Sequence, residues 1–187
     1  MWNIALGAVS GLAKLHELNI FHRDIKSANI FLNQNGVSLL GDLNVSKIAK
    51  EGLLYTQTGT PYYASPEVWN DTPYNSKSDI WSLGCVLYET LTLYPPFRAS
   101  DMNALYKKVV KGVYEEAPNQ YSRDLKRLIN SMLMVKPELR PTCEQILNCK
   151  EFQKAVKTFN LDLSCIKELF PNLGEESKFA SQEKDKN

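Results

Sequence analysis

A carboxylate, an ammonium group and a carboxamide stand close together in residues 22–29 (HRDIKSAN), on Asp24, Lys26 and Asn29. This combination suits the transfer of a phosphoryl group to a hydroxyl. Asp24 would accept the hydroxyl proton, Lys26 would neutralise charge on the transferred phosphate, and Asn29 would hold magnesium on nucleotide phosphates. Because His-Arg-Asp alone also occurs by chance, this interpretation needs partners elsewhere in the chain.

Periodicity and turn residues predict the elements that carry this stretch. Apolar residues recur at about the 3.6-residue period from Trp2 to Leu18, which predicts an amphipathic helix. Two short strands, Asn29 to Leu32 and Val37 to Leu40, flank a turn whose Asn35-Gly36 pair is a strong hairpin signal. The candidate residues are therefore predicted to lie in a loop between a helix and a small hairpin.

The rest of the chain is predicted to be helical around one buried helix. Apolar residues cover most of the circumference from Ser76 to Thr92, where Ser76 and Asp79 fit a capping box. Ser65 and Pro66 fit the start of a short helix, with serine as the cap. Further helices are predicted at 101–111, 122–134, 142–147 (with a capping box of Thr142 and Gln145) and, from a weaker signal, 152–170.

Length and composition indicate a soluble globular protein. The chain has 187 residues, 43 % hydrophobic and 23 % charged, and a net charge of +1. The near-neutral charge gives no indication of a nucleic-acid or membrane surface, and no signal peptide is visible at the start. The most apolar run, Ile80 to Phe97, contains Glu89 and two prolines, which favours a core helix with a loop over a membrane span.

The cysteines indicate the compartment. Cys85, Cys143, Cys149 and Cys165 show no C-x-x-C spacing, and only two histidines could join them as metal ligands. Buried reduced thiols in a cytoplasmic protein are therefore predicted in preference to a zinc site or disulfides.

Four further motifs accompany the first. They are DLN at 42–44, GTPYYASPE at 59–67, KSDIWSLGC at 77–85 and KPELRP at 136–141. With HRDIKSAN they resemble the C-terminal lobe of a eukaryotic serine/threonine protein kinase, most of all a NIMA-related (Nek) kinase. The resemblance covers Trp2 to about Leu147. It implies a mainly α fold, a helical bundle around a buried central helix with a small β-hairpin at the catalytic loop.

The resemblance also implies roles for single residues. Those implied in catalysis are Asp24, Lys26 and Thr60, and those implied in nucleotide or magnesium binding are Phe31, Lys26, Asn29 and Asp42. ATP and Mg2+ are the implied cofactors, with Phe31 as the apolar floor under adenine. The alternatives are a plain core residue at Phe31 and an ordinary turn aspartate at Asp42. Leu43 and Asn44 replace the usual phenylalanine and glycine, and asparagine tolerates positive φ better than most residues.

Regulatory phosphorylation is implied in the segment that precedes the GTPYYASPE motif. Leu43 to Thr60 shows no periodicity, so an exposed segment is predicted there. Thr56 lies where NIMA-related kinases are phosphorylated, and Thr58 is the alternative. Arg23 could pair with the phosphate, with Lys47 as a helper.

Structural roles are implied for His22, Arg23, Glu67, Asp79 and Arg140. Glu67 and Arg140 are predicted to pair, because a buried glutamate needs a cation and the arginine fork matches a carboxylate. Two solvated charges are the alternative. Asp79 would hold the catalytic-loop backbone, which is compatible with simple capping of its own helix.

The N-terminal β lobe of the family is expected to be absent. No G-x-G-x-x-G loop, no Val-Ala-Ile-Lys strand and no helix with the partner glutamate precede Trp2. The expected domains are a partial kinase domain at 1–150, a helical extension at 151–170 and a disordered tail at 171–187.

Two functions stay open on the sequence. One is ATP-dependent phosphoryl transfer to serine or threonine of protein substrates, favoured by the intact catalytic motifs. The other is a non-catalytic kinase-like module that docks substrates or regulators, favoured by the missing lobe. Protein substrates and ATP are the expected partners, without nucleic acid or membrane, and the resemblance adds cytoskeletal or cell-cycle partners and an association with the cytoskeleton.

Overall fold

A buried central helix at Ser76–Thr92 runs through the bundle that carries residues 22–29, the predicted catalytic loop. The computed structural model describes residues 1–34, 36–43 and 61–161. The helices are α1 (Trp2–Glu17), α2 (Pro66–Trp69), α3 (Ser76–Thr92), α4 (Met102–Lys111), α5 (Arg123–Met132), α6 (Cys143–Asn148) and α7 (Lys150–Phe159), the strands are β1 (Ile30–Leu32) and β2 (Ser38–Leu40), and 3₁₀ turns span Ser27–Asn29 and Pro137–Leu139. For these residues, the predicted mainly α fold with a small hairpin is confirmed.

The hairpin lies against α1 and directly follows the catalytic loop. Its strands pair antiparallel, with Ile30 opposite Leu40. Ser38 in β2 donates its hydroxyl to the carbonyl of Ile4 in α1 at 2.7 Å. Gly7 permits this close approach, because a side chain there would clash with the backbone of Ser38. The position of the hairpin therefore determines where the chain continues after β2 to Asp42, the second predicted metal ligand.

The central helix α3 begins at Ser76, as predicted, but its cap differs from the prediction. The N-cap is Asn75, whose side chain accepts from the Lys77 amide, and Ser78 completes the capping box. The predicted box of Ser76 and Asp79 is wrong, because the cap is the residue before the first helical one. Asp79 is instead fully buried, with consequences for the catalytic loop.

The start of α2 gives a second correction. Ser65 occupies the N-cap and Pro66 the first turn, as predicted, but the serine hydroxyl makes no capping hydrogen bond. That hydroxyl is buried and lacks a hydrogen-bond partner among the residues described. The first turn of this short helix is held by a backbone hydrogen bond instead, because the Trp69 amide donates to the Ser65 carbonyl at 3.1 Å.

Helices α6 and α7 pack against α1, and α5 packs against α3 and α7. The predicted capping box of Thr142 and Gln145 at α6 is confirmed. In α7 the buried Phe152 meets Trp2 of α1 edge-on, with 5.7 Å between ring centroids. The first and last helices of the described chain are therefore in direct contact.

The division into domains at residues 150 and 170 stays a prediction. Helix α7, at Lys150–Phe159, lies across the first of these boundaries. Residues 162–187, which include the predicted tail, lie outside the described residues. Within the described ranges, no helix combines the length and the apolar character needed to cross a membrane.

Candidate active site

One buried carboxylate from α3 holds the backbone of the catalytic loop. Oδ2 of Asp79 accepts from the amide of His22, and Oδ1 accepts from the amide of Arg23, both at 3.0 Å. Arg23 has a φ of 67°, which is unfavourable for a residue with a Cβ and needs support from its surroundings. The two hydrogen bonds provide that support immediately before Asp24.

Asp24, Lys26 and Asn29 form one hydrogen-bonded cluster. Nζ of Lys26 donates to Oδ2 of Asp24 at 2.7 Å, and Nδ2 of Asn29 donates to the same oxygen at 3.1 Å. Nδ2 of Asn29 also donates to the Asp24 carbonyl at 2.8 Å. Because both donors approach Oδ2, Oδ1 is the oxygen suited to a substrate proton. Because Asn29 uses its nitrogen here, its carboxamide oxygen is the atom suited to a metal.

Gly41 places Asp42 beside this cluster. Its amide donates to the carbonyl of Asn29 at 2.9 Å, and its carbonyl accepts from Nε2 of His22 at 3.0 Å. The other ring nitrogen of His22, Nδ1, accepts from the amide of Asp24 at 3.4 Å. Asp42 follows with a φ of 60°, a conformation that aspartate tolerates better than most residues. Both predicted metal ligands are therefore tied to one backbone network.

Phe31 lies on the exposed face of β1. It is 55 % exposed, so the alternative of a plain core residue is wrong. Its ring packs over Gly41, where an added Cβ would lie 2.6 Å from the ring. Leu39, its partner across the hairpin, is exposed on the same face. Together they give this face of the hairpin an exposed apolar surface.

A hydroxyl network that the motifs do not predict joins the catalytic loop to α3. Tyr63 donates to Oε2 of Glu89 at 2.7 Å, and Oγ of Ser27 lies 3.0 Å from the Tyr63 hydroxyl. Since the Tyr63 proton is directed to Glu89, Ser27 is the donor in the second bond. Burial raises the pKa of Tyr63 to about 12, so the phenol keeps its proton. Ser27 and Tyr63 stand in recognised motifs, but no local pattern links positions so far apart.

Glu67 and Arg140 meet in a buried, two-pronged ion pair. The guanidinium donates to both carboxylate oxygens, at 2.7 and 2.8 Å, and Ser78 donates to Oε1 at 2.6 Å. Both side chains are buried, so the alternative of two solvated charges is wrong. Burial alone would raise the pKa of Glu67, but the hydrogen bonds and charge of Arg140, with help from Ser78, outweigh it and lower the pKa.

Part of the predicted site cannot be placed. Thr56, Thr58, Thr60, Lys47 and Asn44 lie outside the described residues, so their roles stay predictions. Arg23, the predicted partner of the phosphate, has its guanidinium over the ring of Tyr74, 5.9 Å from the centroid. Its Nε is buried and has no hydrogen-bond partner among the described residues.

Comparison with known proteins decides the family. The sequence profile of the protein kinase domain matches residues 1–152, most of the chain. The chain belongs to the protein kinase family. Among similar curated proteins are "Probable serine/threonine-protein kinase nek2" of Dictyostelium discoideum, 40 % identical over 167 residues, "Serine/threonine-protein kinase Nek3" of Oryza sativa subsp. japonica, 40 % over 178 residues, and "Serine/threonine-protein kinase Nek5" of Mus musculus, 45 % over 140 residues.

These relatives confirm the resemblance of this protein kinase to the NIMA-related group. The alignments cover 87, 95 and 73 % of this chain, in the same order. They cover 40, 30 and 22 % of the relatives. The kinase chain therefore spans less than half the length of the curated relatives it matches.

Proposed function

We propose that this chain carries out ATP-dependent phosphoryl transfer to serine or threonine of protein substrates as part of a kinase. The cluster in which Lys26 and Asn29 converge on Oδ2 of Asp24 carries the proposal. A carboxylate placed in this way can accept a hydroxyl proton on its other oxygen. The neighbouring ammonium group can stabilise negative charge on the phosphoryl group in transfer.

The donor set of the site fits magnesium. Asn29 offers a carboxamide oxygen, and Asp42 a carboxylate, next to the same backbone network. Mg2+ prefers oxygen ligands and usually takes one or two from the protein, with the rest from phosphates and water. Bound there, magnesium would supply neutralisation of phosphate charge. The exposed ring of Phe31 would lie under the adenine of ATP.

Two observations support serine or threonine as the acceptor. The relatives named above are all serine/threonine-protein kinases by their titles. Lys26 lies two residues after Asp24, whereas tyrosine kinases generally carry arginine and alanine in this part of the loop. Regulation by phosphate on Thr56 or Thr58, and cytoskeletal or cell-cycle partners, belong to the same proposal by family resemblance.

A lobe-completion assay tests the proposal. The 187 residues contain no G-x-G-x-x-G loop, so the chain alone should transfer radiolabelled phosphate to a generic protein substrate very slowly, for lack of alignment at the phosphates. Fusing the N-terminal lobe of mouse Nek5 should give turnover. Asp24→Asn should abolish that turnover, whereas Asp71→Asn, the same change at an exposed aspartate, should leave it intact.

One outcome of this assay would contradict the proposal: a fused protein that binds ATP but transfers no phosphate would point instead to the non-catalytic docking module. Normal turnover by the 187 residues alone, lost in Asp24→Asn, would contradict only the expectation that the site needs a second lobe.

A further inference from the structure

Asp79 accepts two hydrogen bonds besides those from the catalytic-loop amides. Nε2 of His16, in the last turn of α1, lies 2.8 Å from Oδ2. The hydroxyl of Tyr74, just before α3, donates to Oδ1 at 2.5 Å. Each oxygen of Asp79 therefore binds one backbone amide and one side chain. No motif in the sequence singles out His16 or Tyr74.

The burial of Asp79 explains why so many donors are needed. The residue is fully buried, and a carboxylate removed from water loses several kcal/mol of hydration unless donors replace it. Among the residues described, four hydrogen bonds and no lysine or arginine ion pair surround it. Removing one side-chain donor would leave the carboxylate under-solvated and able to rotate away from the loop amides.

Cys143 of α6 favours the required tautomer of His16. Because a carboxylate only accepts, the proton must be on Nε2 of His16. The other nitrogen, Nδ1, lies 3.7 Å from Sγ of Cys143. Burial raises the pKa of Cys143 to about 12, so the thiol keeps its proton and can donate weakly to Nδ1. A chain of hydrogen bonds thus runs from α6 through His16 to Asp79.

Tyr74 acts on the same loop in two ways. Its hydroxyl bonds Asp79, while its ring lies under the guanidinium of Arg23. Burial, followed by the charge of Asp79, raises the pKa of Tyr74, so the hydroxyl remains a donor. The position of this one side chain therefore affects both the backbone and the side chain of Arg23.

We propose that His16 and Tyr74 are positioning residues that orient Asp79 toward the two catalytic-loop amides. Cys143 supports this role by favouring the donor tautomer of His16. Neither positioning residue touches the reacting groups; each acts through Asp79. The link to catalysis rests on the proposed function, but the link to loop geometry does not.

Amide hydrogen exchange in the 187-residue chain tests the geometric part. His16→Leu removes the donor, whereas His16→Gln keeps an amide nitrogen near the place of Nε2. In His16→Leu and in Tyr74→Phe, exchange of the His22 and Arg23 amides should accelerate on the order of tenfold. His16→Gln should stay close to wild type, and reference amides in α5 should not change in any variant.

Two results would overturn the inference. Uniform acceleration of all amides, including those of α5, would mean that His16 and Tyr74 only stabilise the fold. Unchanged exchange at the two loop amides would mean that Asp79 needs neither donor. Nitrogen NMR of the His16 imidazole provides a separate check, since a proton found on Nδ1 would contradict the proposed chain from Cys143.

Kinetics of the lobe-completed kinase separate this inference from the proposed function. His16→Leu should lower kcat while KM for ATP stays near wild type, and His16→Gln should restore kcat. If the completed wild-type protein is inactive but the loop amides respond as expected, the proposed function fails and the positioning role stands. If it is active and His16→Leu changes neither kcat nor exchange, the positioning role fails and the function stands.

Discussion

Two carboxylates on successive helices of this kinase are buried in different ways. Glu67 of α2 meets a full positive charge, with two hydrogen bonds from the guanidinium of Arg140. Asp79 of α3 meets no lysine or arginine among the described residues, and accepts two backbone amides and two side-chain donors instead. One carboxylate is neutralised by an ion, and the other is solvated by dipoles and an imidazole.

This difference suggests two roles: the Glu67–Arg140 pair stabilises the fold, and Asp79 positions the loop of the candidate site. Arg140 follows the 3₁₀ turn at Pro137–Leu139, so its pair with Glu67 joins distant parts of the chain and resists unfolding. Two of the four hydrogen bonds of Asp79 come from amides of the catalytic loop, which has a positive φ at Arg23. Loss of the first contact should therefore destabilise the whole bundle, whereas loss of the second should mainly release the loop.

The largest effect is expected from Arg140→Met. Leaving Glu67 buried without its cation should lower the free energy of unfolding by about 3–5 kcal/mol. Chemical denaturation measures this change. Arg127→Met is the control, because the Arg127 side chain is 67 % exposed and the nearest carboxylate oxygen among the described residues is 3.9 Å away. This change should cost well under 1 kcal/mol, as is usual for exposed pairs. Equal losses in the two variants would contradict the comparison.

A smaller loss of stability is expected from Asp79→Asn. The amide keeps the size of the side chain but replaces one acceptor oxygen with a donor that faces other donors. We expect a cost of about 1–3 kcal/mol, together with loss of exchange protection at the amides of His22 and Arg23. Asp71→Asn is the matched control on the surface. A variant that lost stability while keeping protection at both amides would show that Asp79 serves the fold and not the loop.

The smallest effect is the acid sensitivity contributed by Glu67. Its pKa is lowered from the ordinary value of 4.5 in the folded state, so its stabilising contribution is complete above pH 4.5 and is lost as the pH falls through the folded pKa. Denaturation between pH 6 and 3 should show this loss in wild type. In Glu67→Gln the decline should be shallower. Parallel curves for the two proteins would mean that the Glu67 pKa is not lowered by folding.

Local signals predicted the elements well where one pattern dominated. The bounds of α3 from Ser76 to Thr92 follow from its continuous apolar surface. The capping box of α6 follows from the i, i+3 spacing of Thr142 and Gln145. The prediction for the cap of α3 is wrong because Ser76 and Asp79 have the i, i+3 spacing of a capping box, which Asn75 and Ser78 also have. Which residue caps depends on where the first helical turn closes, and neighbouring segments influence that.

The candidate site divides in the same way. Asp24, Lys26 and Asn29 fall within one short loop, so their spacing alone indicates that they can meet. Ser27, Tyr63 and Glu89 meet only because the segment that carries Tyr63 packs between the loop and α3. No periodicity marks such a contact, since each partner is set by the path of a different segment.

The sequence by itself predicted the candidate chemistry of this chain, because the carboxylate, ammonium group and carboxamide of residues 22–29 need only local folding to converge. The tertiary structure alone decided what supports them. The donors to Asp79 come from α1, from the catalytic loop and from the residues before α3, and the thiol behind His16 comes from α6. A buried carboxylate takes its donors from whatever packing brings within reach, and packing joins residues that the chain keeps far apart.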